Sequence, residues 1–230
     1  MYNIKVDFKN KHVLISGASN GIGRALAEEL IGAGAVITNF DIDEPDQGLD
    51  GMTTHKVNIT DLGDIEGALN ELKTPIDVLI CNAGVMRRGT LMDATEDDFE
   101  LLFDVNVKGS WLLIKSSVPY LNPGAQIAII ASRYSQKPRS DPALYGLTKM
   151  AQYHMGLLAK ETLHDFDFKF ILPGSTNTAL ARHGISGLAL EQKEKLMHSP
   201  EHLAGLILEL LTSNHSHLIF NEKSRDYRFE

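Results

Sequence analysis

Short apolar runs alternate with longer amphipathic segments along the chain, and this alternation limits most strongly the folds that the chain can adopt. The runs cover residues 12–16, 35–40, 76–81, 126–131 and 168–172, with a weaker run at 54–57. Continuous apolar runs are typical of strands that are buried on both faces of a parallel sheet. The pattern predicts a single doubly wound α/β domain over residues 1–230, with a mainly parallel sheet and helices on both faces.

Residues that favour helix ends fall between the runs. An amphipathic segment over 21–33 stops at Gly34, a residue common just after a helix. A second helix is predicted from Asp61, and Thr-Glu-Asp-Asp at 95–98 predicts the capped start of a long helix. Ser199 is a candidate N-cap because a proline follows it. These boundaries fit the predicted alternation of strands and helices.

Composition and charge narrow the class of protein. The chain has 43% hydrophobic residues, enough for a large core. Its formal net charge of −8 disfavours binding to nucleic acid or to an anionic membrane. No apolar run reaches the roughly 20 residues of a membrane span, and residues 1–5 lack the apolar stretch of a signal peptide. With Cys81 as its single cysteine, the chain has no internal disulfide. We therefore expect a soluble, cytoplasmic protein.

The segment SGASNGIG, residues 16–23, follows the first predicted strand and opens the first predicted helix. This placement is required of the dinucleotide-binding fingerprint of Rossmann-type domains. Gly17 would allow a sharp turn, Gly21 a close approach of the backbone to a pyrophosphate, and Gly23 close packing of the helix. A plain strand-to-helix turn with incidental glycines is the alternative interpretation of the loop alone.

Asp41 is predicted at the end of the second strand. A carboxylate there can accept hydrogen bonds from both ribose hydroxyls of an adenosine and would repel a 2′-phosphate, so NAD is expected rather than NADP. The alternative is a solvated loop acid, because Asp43, Glu44 and Asp46 follow closely. Arg24, just after the glycine loop, remains a possible partner of a 2′-phosphate.

A candidate catalytic group lies in the second half of the chain. Tyr145 and Lys149 are four residues apart and share one face of a predicted helix, where an ammonium beside a phenol is expected to lower the pKa of the phenol. Ser132, at the end of a strand, offers a hydroxyl to a carbonyl oxygen. Asn106 is unfavourable inside a helix and suggests a local role. The alternatives are a surface helix, an ordinary strand-end serine and an asparagine satisfied by a nearby carbonyl.

With these residues in place, the chain resembles the short-chain dehydrogenase/reductase family over nearly its whole length. The glycine loop, Asn82-Ala83-Gly84 and Pro173-Gly174 match the family's motifs in order and spacing. The family's catalytic tetrad maps onto Asn106, Ser132, Tyr145 and Lys149. The resemblance implies that the cofactor contacts Gly17, Ser19, Asn20, Gly21, Ile22, Gly23, Asp41, Asn58, Ile59, Asn82, Ala83, Gly84, Tyr145, Lys149, Pro173, Gly174, Thr176 and Thr178.

The resemblance implies an NAD(H)-dependent oxidoreductase that interconverts a secondary alcohol and a ketone. Tyr145 would transfer the proton, Lys149 would lower its pKa and hold the nicotinamide ribose, Ser132 would orient the substrate oxygen, and Asn106 would support a water that links Lys149 to solvent. A 3-oxoacyl-thioester reductase and a non-enzymatic NAD-sensing protein are the alternatives. A homo-oligomer, most simply a homotetramer, is expected because the helices around Trp111 and Tyr145 have more apolar surface than one sheet covers.

The chain departs from the family pattern at several positions. Asn58 stands where the family usually has Asp, although its amide oxygen can still accept from an adenine amino group. The substrate loop, about 179–198, is short, and the C-terminus lacks the usual glycine-rich ending. We expect Cys81 to be an inert strand residue and the histidine pairs not to bind metal. Basic residues at the predicted opening raise the hypothesis of an anionic substrate, with ordinary solvated charges as the alternative. They are Arg87, Arg88, Arg133, Lys137, Arg139, Arg182 and His183.

Overall fold

The apolar runs form an eight-stranded sheet in a computed structural model, which describes residues 7–43 and 48–230. The strands lie in the order β3-β2-β1-β4-β5-β6-β7-β8, and every neighbouring pair is parallel except β7 and β8. The chain therefore winds outward from β1 in both directions. The strands are β1 (His12–Ser16), β2 (Val36–Asp41), β3 (Met52–Lys56), β4 (Ile76–Cys81), β5 (Leu121–Ile130), β6 (Asp167–Leu172), β7 (His217–Asn221) and β8 (Asp226–Phe229).

Helices connect the parallel strands, as the alternation of sequence patterns predicts. They are α1 (Gly21–Gly32), α2 (Leu62–Asn70), α3 (Glu96–Phe103), α4 (Ser110–Ser117), α5 (Ala143–Lys160), α6 (Ala179–Arg182), α7 (Gly187–Glu194) and α8 (Pro200–Thr212). None of the helices in the described part of the chain has the length and apolar character needed to cross a membrane.

Each face of the sheet is covered by its own apolar core. Val13 and Ile15 of β1 point to one face, where α1 and α8 pack through residues such as Leu26 and Ile207. Leu14, between them, points to the opposite face, which α2, α4 and α5 cover. Because full burial of an aliphatic side chain is worth about 1.5–3 kcal/mol, both layers stabilise the sheet. The predicted doubly wound α/β fold is confirmed.

The residues predicted to bound helices do so. Thr95 and Asp98 form a reciprocal capping box at the start of α3, while Asp61 and Ser199 cap α2 and α8 with their side chains. Gly34 has a φ of +96°, a conformation that an L-residue rarely adopts, so glycine ends the α1 segment for a conformational reason.

The C-terminal hairpin of β7 and β8 was not among the predicted strands. The five residues of β7 form a short apolar run, and β8 alternates between exposed and partly buried residues, which is a weak signal. The strand β5 begins at Leu121, five residues before the predicted start, because Leu121 pairs with Ile76 at the start of β4, before a shift in register. That early part contains a proline and a glycine, which are unfavourable inside strands, so the sequence pattern did not identify it as a strand.

The long helix predicted after residue 95 is interrupted. Between α3 and α4 the backbone forms a π-helical turn over Asp104–Gly109, which adds one residue to the helical turn. Asn106 lies in this turn, and a 3₁₀ turn over Val118–Tyr120 leads into β5. The irregularity sits where the helix passes beside the carboxyl ends of β4 and β5.

Candidate active site

A groove of about 560 Å³ runs along the carboxyl ends of the parallel strands. In open α/β sheets this is where ligands bind, next to the point at which the strand order reverses, here between β1 and β4. The predicted site residues line the groove except for three, which are Ser19, Gly23 and Asn106. The fold therefore brings together residues that are spread from position 17 to position 178 of the chain.

The glycine loop is held by the strand beside it. The side-chain nitrogen of Asn82 donates to the carbonyl oxygens of Ser16 and Gly17 at 2.9 and 2.8 Å. Gly17 has a φ of +76°, and a Cβ on Gly23 would collide with the Gly17 carbonyl oxygen and with the Asn82 side chain. Glycine is therefore required at 17 for backbone conformation and at 23 for space.

The start of α1 is suited to an anion. Its N-cap residue, Asn20, makes no side-chain capping bond, and the first turn contains no acidic residue. By contrast, α2, α3 and α8 each have a side-chain cap. Uncapped N–H groups and the positive end of the helix dipole favour a phosphate at this position. These residues fit the pyrophosphate of a dinucleotide.

The end of β2 anchors the glycine loop from the other side. Asp41 accepts from the Ser19 backbone N–H at 3.0 Å, and the buried Asn39 accepts from the Ala18 N–H at 2.8 Å while its amide donates to the Ser19 hydroxyl. Asp41 lines the groove at the same time. The alternative loop acids Glu44 and Asp46 lie outside the described residues.

The side-chain oxygen of Asn58 already accepts two hydrogen bonds within its own loop. It accepts from both the N–H and the hydroxyl of Thr60, at 3.1 and 2.9 Å. An adenine amino group would have to compete with these two bonds, so the expectation of an available amide oxygen is corrected. Ile59 lines the same end of the groove and packs against Gly109, where a Cβ would lie 2.8 Å from its side chain.

Ser132 and Tyr145 lie together in the wall of the groove, close enough for the Ser132 hydroxyl to affect the pKa of Tyr145. Ser132 follows β5, and its hydroxyl also accepts from the Tyr134 N–H at 3.2 Å, which fixes its direction. Burial raises the pKa of Tyr145, whereas the hydrogen bond with Ser132 acts to lower it and the nearby Tyr134 to raise it. Tyr145 is thus protonated at neutral pH and able to donate a proton.

Lys149 is 3% exposed and is turned toward the sheet. Its ammonium donates to the Ile130 carbonyl at 3.0 Å and to the Gln152 side-chain oxygen at 2.8 Å, and lies 5.9 Å from the centre of the Tyr145 ring. Burial lowers the pKa of Lys149 to about 7, and the charge of Lys149 is not among the causes that shift the pKa of Tyr145. The predicted lowering of the tyrosine pKa by Lys149 is therefore wrong for this structure.

Asn106 is buried behind the groove. Its side chain accepts from the Val85 N–H and donates to the Val85 carbonyl, both at 2.9 Å, and it also donates to the Thr148 hydroxyl. A Cβ on Gly84 would lie 3.0 Å from the Asn106 oxygen. The side chain thus links the segment after β4 to α5. The structure therefore contains the alternative given in the sequence analysis, an asparagine whose side chain is satisfied by a nearby carbonyl.

The segment after β6 is held by the C-terminal hairpin. The Gly174 N–H donates to the Tyr227 hydroxyl at 3.2 Å, and the buried Thr176 pairs with His198 in an isolated parallel bridge. Burial raises the pKa of Tyr227 to about 12. Thr178 caps α6 through its hydroxyl, so residues 179–198 begin as a short helix beside the groove.

The basic residues divide into two groups. Arg88 and Arg133 line the groove together with Lys193, which the sequence did not single out. Arg87 instead pairs with Asp98. Arg182 donates to the Asn177 side chain, and neither it nor His183 lines the groove. The expected cationic opening therefore exists, with partly different members.

Cys81 and the histidine pair raised by the sequence lie in packed surroundings. Burial raises the pKa of the Cys81 thiol to about 12, so the thiol stays protonated near neutral pH. The rings of His198 and His202 stack with centroids 5.4 Å apart and pack against Tyr227. Within residues 7–43 and 48–230, no three His, Cys, Asp or Glu side chains form a group that could hold a metal ion.

Sequence reasoning missed four buried polar residues that build the site from behind: Ser16, Asn39, Thr148 and Gln152. All are less than 2% exposed, and each bonds a predicted site residue or its immediate neighbour. The signal that could have found them is a polar residue inside an apolar strand, as at Asn39, or on the inward face of a helix, as at Gln152.

Comparison with known proteins places the chain among dehydrogenases. A sequence model of the family described as short chain dehydrogenase matches residues 11–186. The 2,3-dihydro-2,3-dihydroxybenzoate dehydrogenase of Escherichia coli is 28% identical over 184 residues, which cover 77% of this chain and 74% of that protein. The dehydrogenase/reductase SDR family member 6 of Xenopus laevis is 26% identical, and the match covers 92% of this chain and 94% of that protein.

Solved structures share the fold. A short chain dehydrogenase from Burkholderia cenocepacia, solved in complex with NADP, superimposes with a TM-score of 0.77 at 22% identity and covers 88% of this chain and 90% of that chain. At this identity the likeness supports the fold alone.

Proposed function

Because the chain belongs to the short-chain dehydrogenase family of oxidoreductases, we propose that it interconverts a secondary alcohol and a ketone with NAD(H). The observation that carries the proposal is that Ser132 and Tyr145 lie together in the wall of a groove that also contains the glycine loop. The wall that contains Tyr145 thus provides a proton donor. Elsewhere along the groove, the start of α1 provides a site for a pyrophosphate.

The residues of the groove would hold the dinucleotide along its length. The first turn of α1 faces the pyrophosphate, Asp41 binds the adenosine ribose, and Pro173 to Thr178 lies at the nicotinamide end. When bound, the nicotinamide ring supplies or accepts the hydride. Lys149 binds the nicotinamide ribose, and its present acceptors, Ile130 and Gln152, hold its ammonium at the floor of the groove.

Proton transfer is the task of Tyr145. In the direction of reduction, its hydroxyl donates a proton to the carbonyl oxygen of the substrate, and in oxidation the phenolate takes the proton back. Ser132 donates to the same oxygen and holds it in place. The raised pKa of Tyr145 favours the neutral phenol, which is the form that donates the proton in the direction of reduction.

NAD is proposed rather than NADP because of Asp41. Its carboxylate lies at the end of β2 and is already fixed by the Ser19 N–H, so it cannot easily turn away from a 2′-phosphate. Two like charges at hydrogen-bonding distance in a partly buried site repel strongly. The NADP complex of the Burkholderia protein belongs to that protein and does not transfer at 22% identity.

The proposal is tested by following NADH oxidation with a panel of ketones, oxo acids, sugars and acyl thioesters. Turnover of a ketone or oxo acid supports the proposed reaction, and turnover restricted to acyl thioesters would support the 3-oxoacyl-thioester reductase instead. Binding of NADH without turnover of any panel member would contradict the enzyme and favour an NAD-sensing protein.

We propose that the protein assembles as a homotetramer in the cytoplasm. The support for this assembly is an apolar surface on α4 and α5, where Trp111 is 47%, Leu147 42% and Leu158 70% exposed. Light scattering behind a sizing column, at micromolar protein with NADH, should give about four times the chain mass of 25.4 kDa. A mass near that of one chain would contradict any homo-oligomer.

A further inference from the structure

Three cations converge on the substrate end of the groove from different parts of the chain. Arg88 follows β4, Arg133 follows β5, and Lys193 lies on α7. Burial lowers the pKa of Lys193 to about 8, and repulsion from Arg88 and Arg133 adds to the shift, while Asp141 opposes it. The three charges are therefore close enough to act on one another. A group of negative charge would stabilise this cluster of like charges, which stands out in a chain whose net charge is −8.

The carboxylates nearby do not balance the cluster. Arg88 pairs with Asp141 at 3.1 Å, and Arg133 reaches Glu222 at 3.6 Å, but Glu222 is shared with Arg139. Four cations thus face two carboxylates. Lys193 donates to the Ala181 carbonyl, which is a neutral acceptor.

One donor of the cluster is unsatisfied. Among the residues that the structure describes, the buried Nε of Arg133 has no hydrogen-bond partner, while its Nη2 contacts the Tyr134 hydroxyl at 3.3 Å. An unpaired buried guanidinium donor is costly, and a planar acceptor with two oxygens removes that cost.

The cluster adjoins the reacting groups. Arg133 directly follows Ser132, and its guanidinium lies 5.1 Å from the centre of the Tyr134 ring. The Tyr134 ring meets the Tyr145 ring edge to face, with centroids 6.1 Å apart. An acid group held by Arg133 would therefore lie in the same part of the groove as an oxygen held by Ser132 and Tyr145.

We propose that Arg88, Arg133 and Lys193 bind a carboxylate of the substrate, so that the enzyme acts on small oxo acids and hydroxy acids. The inference rests on the proposed reaction at Tyr145 and adds the class of its substrate. A carboxylate fits because its two coplanar oxygens match guanidinium donors and its negative charge offsets part of the positive charge that Asp141 and Glu222 leave unpaired.

The test presents each ketone twice, as the carboxylic acid and as its methyl ester. A 2-oxo acid, a 3-oxo acid and a 4-oxo acid, each with its ester, are compared as substrates with NADH. Titration calorimetry of the NADH-bound protein with the same compounds measures binding independently of turnover. Wild type is compared with Arg133→Met and Lys193→Met, and Lys195→Met is the matched control because Lys195 is exposed and does not line the groove.

At least one acid should have a KM about tenfold or more below that of its ester, and each cluster variant should raise the KM of the acid by about tenfold or more without changing that of the ester. Lys195→Met should behave as wild type. Turnover of esters without preference for acids would keep the reaction and overturn the carboxylate site. Tighter binding of acids without any turnover would keep the site and contradict the reaction. Acids that bind no better than their esters, or variants that affect both equally, would also overturn the site.

Discussion

Lys149 is bonded to Gln152, not to Tyr145: its ammonium donates to the Gln152 side-chain oxygen at 2.8 Å. Gln152 donates onward to the Ser110 hydroxyl at 2.7 Å, and Ser110 donates to the backbone carbonyl of Asn106 at 3.1 Å. All four residues are at most 3% exposed. A buried network therefore joins Lys149 to the π-helical turn that contains Asn106.

The first prediction concerns the stability that Lys149 contributes as pH rises. The pKa of Lys149 is about 7 in the folded chain, compared with an ordinary value of 10.5. At a pH between these two values, the unfolded chain therefore binds a proton that the folded chain lacks. Raising the pH therefore stabilises the folded state, by up to about 1.4 kcal/mol per pH unit. Urea unfolding without cofactor from pH 7 to 8.5 should show a smaller rise in Lys149→Met than in wild type.

The exposed Lys223 provides the control for this measurement, and Lys223→Met should keep the wild-type slope. Comparison of variants cancels the contributions of Cys81 and Tyr145, which act in the opposite direction at higher pH because burial raises their pKa values. An unchanged slope in Lys149→Met would mean that burial does not lower the pKa of Lys149.

The second prediction concerns Asn39, which holds the glycine loop from β2. Asn39→Ala leaves the buried Ala18 N–H without its acceptor, so the free energy of unfolding should fall by about 1–3 kcal/mol. The dissociation constant for NADH should rise as well, because the loop loses its support. Urea unfolding and fluorescence titration measure the two effects, and the exposed Asn214→Ala should change neither.

The third prediction concerns the choice of cofactor. Asp41→Asn keeps an acceptor for the Ser19 N–H but removes the charge, so the ratio of NADPH to NADH dissociation constants should fall by about tenfold or more. Asp50→Asn, at an exposed position that does not line the groove, should leave the ratio unchanged. Wild-type protein that binds NADPH as tightly as NADH would refute the role of Asp41.

The fold class and the place of the site could be predicted from the sequence because both follow from local patterns. Apolar runs identify buried strands, and a glycine loop between a strand and a helix identifies the end of the sheet at which the site lies. The helix caps at Thr95 and Ser199 follow from the same local rules. Family spacing then located Ser132, Tyr145 and Lys149, which the fold brings to one groove.

What could not be predicted depends on contacts between distant segments. The position of the Lys149 ammonium is decided by Gln152 on its own helix and by the Ile130 carbonyl on β5, and spacing alone does not choose between these acceptors and Tyr145. Lys193 belongs to the groove only because α7 folds back over it. The strand β8 pairs with β7 through a short polar turn that lacks a strong strand signal.

The central claim is that Tyr145 transfers the proton in a reaction that consumes NADH. Its most direct test is the rate of NADH oxidation with the best ketone or oxo acid, measured for wild type and Tyr145→Phe together with the NADH dissociation constant. The control is Tyr153→Phe, because Tyr153 lies on the same helix and its hydroxyl contacts His217 instead of the groove. Loss of the proton donor should reduce kcat by about 10²- to 10⁴-fold, which is what general acid catalysis contributes. NADH binding and the Tyr153→Phe rate should stay near wild type, whereas a Tyr145→Phe enzyme with near-normal turnover would contradict the account.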